Sequence, residues 1–168
     1  LGPAWLAVVL CSVIGGLSGG LFSSALVYAA RGLPGRAGKL LMRYPVVFAG
    51  LGGLGIAIIG VASGGQTYGT GYAQARGMVE ATHYLPASFV VLKFLATVIS
   101  YISGIPGGLF APSLAVGAAL GGWISQFMPS TPEGAIVLLG MVAYFSGVVQ
   151  APITAAVIVM EMTDNQSL

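Results

Sequence analysis

Between Lys93 and Glu133 the chain carries no Asp, Glu, Lys or Arg, yet its centre, Ser103 to Gly122, reads SGIPGGLFAPSLAVGAALGG. An uncharged apolar run with turn-forming residues in its middle restricts the fold more than any other feature. Gly104, Pro106, Gly107 and Gly108 resist regular helix, and an apolar run with small residues at close intervals follows them. The stretch reads as a non-helical loop that opens a helix inside an apolar medium. Pro112 suits the first turn of that helix, where the N–H it lacks would have no partner. The N–H groups of Leu109, Phe110 and Ala111 would also lie ahead of the helical ladder. They carry the positive end of the helix dipole and form a candidate anion site. With no charged side chain in the run, an anion there would be held by backbone dipoles and not by a salt bridge.

Composition agrees with an apolar medium. The chain is 57% hydrophobic and 6% charged, with a mean hydropathy of +0.96, whereas a soluble domain carries about 25% charged residues. The expectation is an all-α polytopic membrane protein, with residues 1–168 as a single transmembrane region. Twenty-seven glycines exceed what Leu-rich lipid-facing helices need. Small residues let membrane helices approach closely, and Gly and Pro also mark broken helices. A net charge of +2 is too small to suggest a nucleic-acid partner. The single cysteine, Cys11, sits in an apolar run and excludes an internal disulfide framework. With no CxxC and no His/Cys cluster, neither a metal site nor a cofactor is supported. Leu1 to Leu26 lacks a basic leader and a small-residue cleavage site, so it is not a signal peptide. A start at Leu1 without Met and an end on a turn signal suggest a fragment of a longer chain.

In chain order, Ala4 to Ala30 is long enough to cross a bilayer, which takes about 20 residues. Gly15 and Gly19, like Gly16 and Gly20, have small-xxx-small spacing, which suits either packing within one bundle or a dimer seam. Arg31, Arg36, Lys39 and Arg43 are four of the six basic residues, with no acid among them. The positive-inside rule puts this Arg31–Arg43 segment in the cytoplasm. Val46 to Ala62 is a second span, and Ser63 to Tyr72 (SGGQTYGTGY) is a loop of glycines and hydroxyls, either a polar vestibule wall or a flexible turn. Ala73 to Thr82 is too short to span and reads as a partial or re-entrant helix, with Arg76 and Glu80 at the four-residue spacing. His83, the one histidine, reads as a cap or surface residue.

Ala87 to Ile102 is a third long apolar run, interrupted by Lys93. A lysine inside a span is costly and marks a functional site by default. Its plainer role is to snorkel to an interface or to pair with a carbonyl. Trp123 has the look of an interfacial belt residue. Pro129 to Pro132 is a turn, with Ser130 or Thr131 suited to cap the helix that follows. Ala135 to Val149 is apolar, Gln150-Ala151-Pro152 breaks it, and Ile153 to Met162 is a second proline-opened helix. Paired interrupted segments are the broken-helix pattern of transporters, whose irregular backbone lines a binding site.

These residues also carry a resemblance. Gly107-Gly108-Leu109-Phe110-Ala111-Pro112 resembles the GGIFxP anion-filter signature of the CLC chloride channel and chloride/proton exchanger family. Ala151-Pro152-Ile153-Thr154, followed by Met160-Glu161-Met162-Thr163-Asp164-Asn165, is similar to that family's APLTG…EMTDN segment, in the same order and separation. The resemblance covers nearly the whole chain and matches the second half of a CLC membrane domain. It implies one half of an inverted-repeat fold with broken and re-entrant helices, and a homodimer in which each subunit has its own pore. It implies chloride held by main-chain N–H groups, with Leu109 and Phe110 supplying amides and Gly107, Gly108 and Pro112 shaping the turn around Ala111. It places the helix from Ile153, with Val157, Met160 and Glu161, at the subunit interface. Ser103-Gly104-Ile105-Pro106 looks like the family's GSGIP segment, but its position directly before the filter argues against the central-serine role for Ser103. The family's gating Glu motif, GxEGP, does not occur in this sequence, and the helix bearing the pore Tyr is expected beyond Leu168. The motifs therefore do not choose between channel and exchanger.

The leading expectation is chloride transport by coordination of a partly dehydrated anion, with no covalent chemistry and no enzyme activity. The partners would be chloride, membrane lipid, and either a second copy or the other half of the same protein. The 168-residue chain alone would be inactive. One alternative is a non-transporting membrane module that uses its glycine faces for helix assembly. Another is an intramembrane serine protease using Ser146 or Ser103 with His83, which lacks a visible orienting partner.

Overall fold

A computed structural model describes residues 3–31, 43–82, 85–104 and 107–164. The described residues form helices and turns and contain no strand. The helices are α1 (Pro3–Ala30), α2 (Pro45–Ala62), α3 (Tyr72–Val79), α4 (Ala87–Ile102), α5 (Phe110–Ser125), α6 (Glu133–Val149) and α7 (Pro152–Asp164). Two of them, α1 and α2, are long and apolar enough to cross a membrane. The others run from 8 to 17 residues, shorter than a full span needs. The all-α architecture with interrupted helices agrees with the sequence reading. Most of the Arg31–Arg43 segment and His83 lie outside the described residues.

The interruptions have local causes. Gly104 takes φ +79° after α4, a left-handed conformation that glycine adopts without a Cβ clash. At the end of α6, Gln150 takes φ +58° and its N–H donates to the Ser146 carbonyl at 2.9 Å, closing the helix in an αL cap. Pro152 then opens α7 at its first position. The expected cap on α6 is not formed by Ser130 or Thr131. Pro132 is the N-cap residue, with φ −55° and ψ 127° and no side-chain cap. Thr131 lies one position too early for its hydroxyl to reach the first-turn amides, and its Oγ1 is buried without a partner.

Helix α6 is the hub of the bundle. It packs most extensively against α1 and α5, and also meets α3 and α7. Its Ile136, Val137, Tyr144 and Phe145 are among the most fully buried side chains. Glycines bring the axes together. A methyl group on Gly15 would fall 2.7 Å from Ala143 Cβ, and one on Gly19 would strike the Tyr144 carbonyl. Gly15 and Gly19 therefore serve packing inside the bundle. The missing side chains of Gly16 and Gly20 point into open space, with nothing within 4 Å. Gly140 of α6 meets Gly117 and Gly121 of α5 in the same way. By contrast, α2 packs on α4 alone among the described helices, and Val46, Leu51, Leu54, Ile58 and Val61 leave it largely exposed and apolar.

Candidate functional site

The start of α5 and the loop before α3 come together around Lys93. The loop is internally bonded rather than open. Ser63 Oγ donates to the Gly60 carbonyl at 2.9 Å and shares a 2.8 Å hydrogen bond with the Thr67 hydroxyl. The Thr67 N–H donates to Ser63 Oγ at 3.2 Å. Positive φ at Gly64, Gly65, Gly69 and Gly71 lets the chain fold back, turning the carbonyls of Thr67 and Gly69 toward α4. There the Lys93 ammonium donates to both, at 2.8 Å and 2.7 Å. Lys93 is 2% exposed. Its own carbonyl accepts a 2.8 Å hydrogen bond from the Thr97 hydroxyl, one turn later.

Gly71 closes this arrangement. It precedes α3 with φ +81°, and a methyl group there would lie 2.6 Å from Ala115 Cβ and 3.1 Å from Lys93 Cε. Gly71→Ala is therefore expected to cost about 2 kcal/mol or more, from the left-handed conformation plus the overlap. Thermal unfolding in detergent checks this. A melting temperature equal to the parent's would contradict it.

Lys93, Thr67, Gly69, Thr97 and Ser100 line a cavity of about 210 Å³ together with Gly107, Gly108, Leu109 and Pro112. Four of the six residues read as the anion site thus share one chamber. The Ser113 N–H donates to the Leu109 carbonyl at 3.1 Å, which leaves the amides of Phe110 and Ala111 ahead of that rung. The side chains of those two residues lead elsewhere. The Phe110 ring packs on Phe145 with centroids 5.1 Å apart and borders a second cavity of about 290 Å³ with Leu26, Val27 and Val148. Ala111 faces a small space beside Tyr72, Val79 and Met141. Leu109 and Tyr101 border both larger cavities.

The chamber's charge comes from two sources. The α5 N-terminus presents the positive end of its dipole, and the Lys93 ammonium lies in the wall. Among the described residues no carboxylate pairs with Lys93. Away from the chamber, Arg76 Nε on α3 pairs with Glu80 Oε1 at 2.7 Å, both side chains being exposed, as their spacing suggested. The Ser63–Tyr72 loop is thus a wall of the chamber, and Lys93 takes its carbonyl-pairing role. The sequence reading flagged Lys93 but did not join it to the filter motif or to the loop. The lysine inside a span was the available signal.

Other candidates sit apart. Ser103 Oγ donates to the Ser100 carbonyl at 2.6 Å. On α7, Ile153 is 80% exposed, Val157 50% and Met160 68%, and Glu161 is exposed beside them.

Residues 2–168 match the family described as voltage gated chloride channel. The chain is 32% identical to an H(+)/Cl(−) exchange transporter ClcA of Yersinia pestis bv. Antiqua (strain Angola), over 178 aligned residues covering 100% of this chain and 36% of that protein. It is 40% identical over 86 residues to a protein of the same name from Cronobacter sakazakii, covering 46% of this chain and 18% of the relative. A Vibrio vulnificus protein of that name is 42% identical over 82 residues, covering 45% and 18%. The chain spans about a third of the length of the curated relatives it matches end to end. No solved structure matches it significantly.

Proposed function

Because the chain belongs to the voltage gated chloride channel family, we propose that it forms part of a chloride transport pathway and that Gly107 to Pro112 coordinates the anion. The supporting observation is the single chamber that holds the filter's Gly107, Gly108, Leu109 and Pro112 with a buried ammonium. Backbone amides at a helix start and a fixed cation both favour an anion over a cation. The amides of Leu109 and Phe110 are the main-chain donors, and Gly107, Gly108 and Ala111 leave the backbone accessible. The mechanism is replacement of part of the anion's hydration shell by fixed dipoles, as in other selective pores. It forms no covalent bond and needs no cofactor, so the chain is a transport component rather than an enzyme.

The protein is integral to the membrane. In our reading the Arg31–Arg43 segment faces the cytoplasm, which follows from its basic charge. The exposed face of α7 carrying Ile153, Val157, Met160 and Glu161 pairs two copies, and lipid covers the apolar face of α2. The 168 residues alone do not conduct. They act with further segments, supplied in the same chain or by a partner.

Chloride efflux from liposomes tests this. Efflux is expected from the complete protein that carries these residues and not from the 168-residue chain by itself. No efflux from the complete protein, together with no chloride binding in detergent, would overturn the transport reading in favour of a helix-assembly module. Efflux from the 168-residue chain alone would overturn only the need for partner segments.

A further inference from the structure

The filter residues supply backbone dipoles, but the chamber also holds a charge that this function does not by itself require. We propose that the Lys93 ammonium is a direct ligand of a small monovalent anion in this chamber and sets its affinity. The inference rests on reading the chamber as an anion site, and it adds a charged side-chain donor to amides at the α5 start.

Three observations carry it. Lys93 is 2% exposed and sits among uncharged groups, and a buried charge is costly unless it is compensated. Its two hydrogen-bond acceptors, the carbonyls of Thr67 and Gly69, are neutral, and no carboxylate among the described residues pairs with it. An ammonium has three N–H donors, so two directed at the loop leave a third for a ligand. The same side chain borders the chamber with Gly107, Gly108 and Leu109. An anion bound there is at once the ligand of the α5 amides and the counter-charge of the lysine.

Lys93 also changes the character of the wall. Carbonyl oxygens lining a chamber suit a cation. Donation from the ammonium occupies those of Thr67 and Gly69 and presents positive charge in their place. Removing the charge weakens attraction for the anion, and removing the donors as well exposes two repelling dipoles.

This orders the variants. Chloride binding to the complete protein, measured by calorimetry in detergent, is expected to weaken about tenfold to a hundredfold in Lys93→Gln, whose amide can still donate to the carbonyls. Lys93→Met should bind more weakly still, and Lys93→Arg should stay near the parent. Unchanged affinity in Lys93→Gln, whatever its melting temperature, would reduce the lysine to a loop anchor and overturn the proposal. Anomalous scattering from bromide in crystals of the unmodified complete protein decides the matter independently of how any variant folds. Bromide within hydrogen-bond reach of Lys93 Nζ supports the proposal. Bromide on the α5 amides but out of reach of Nζ overturns it and leaves the anion filter standing. No bromide in the chamber overturns both.

Discussion

Gly140→Val is expected to stop the bundle from closing. Gly140 lies where α6 crosses α5. A single methyl group there would fall 2.5 Å from the Gly117 carbonyl oxygen and 2.7 Å from both N and Cα of Gly121. All three neighbours are backbone, so no side chain can swing aside. The helices must separate, and α6 also carries the packing of α1. Two branches in place of a hydrogen should cost about 3 kcal/mol or more, a large share of a typical stability. The expected observation is loss of monodisperse protein on size exclusion, or a large fall in melting temperature in detergent. Gly53→Val is the control, because Gly53 is exposed on α2 with nothing within 4 Å of its missing Cβ. Equal behaviour of the two variants would mean that the α5–α6 crossing is not what holds the bundle.

The control also shows why glycine was ambiguous in the sequence. Gly15, Gly16, Gly19 and Gly20 are equivalent as letters, and small-xxx-small spacing suits any close helix pair. Only the orientation of α1 against α6 separates Gly15 and Gly19, which are packed, from Gly16 and Gly20, whose missing side chains face open space. The breaks were legible because their causes are local. Pro152 fixes φ and lacks the N–H that would continue a helix, and the glycines after α4 disfavour a helix by their backbone freedom, wherever they occur. Helix α4 spans Ala87–Ile102 as its apolar run suggested. The cap on α6 was misread for a matter of one position, since Pro132 rather than Thr131 stands at the helix entry.

The candidate site was half legible. The filter motif gave the helix start, but six consecutive residues cannot face one chamber when each helical residue turns the chain by about a quarter-turn or more. The Phe110 ring and Ala111 accordingly point away from Gly107, Gly108 and Leu109. Lys93 announced itself as a costly residue, but its partners did not. They are carbonyls of Thr67 and Gly69, a group that every residue possesses, so no letter of the sequence marks them. The hydroxyls and glycines of that loop reveal a turn without saying which carbonyls it turns inward.

Gly108→Asp is expected to abolish chloride binding while leaving the fold intact. Gly108 borders the chamber. A methyl group there meets no described neighbour within 4 Å, and its φ is not positive, so a side chain is sterically admissible. A carboxylate tethered at this point is a built-in competitor for the α5 amides and the Lys93 ammonium, at an effective concentration in about the millimolar range or above. Free chloride must displace it and restore two separated charges in a poorly hydrated space. A loss of about a hundredfold or more in chloride affinity follows for the complete protein. Gly108→Asn has nearly the same shape without the charge, and should bind within about threefold of the parent, a difference of under 1 kcal/mol. Stability gives a second readout. A ligand that binds the folded state raises the melting temperature as its concentration rises, so chloride should stabilise the parent and Gly108→Asn but not Gly108→Asp. If Asp and Asn behave alike in both measurements, charge at this position does not matter to the ligand, and the anion chamber is not where the chain holds chloride.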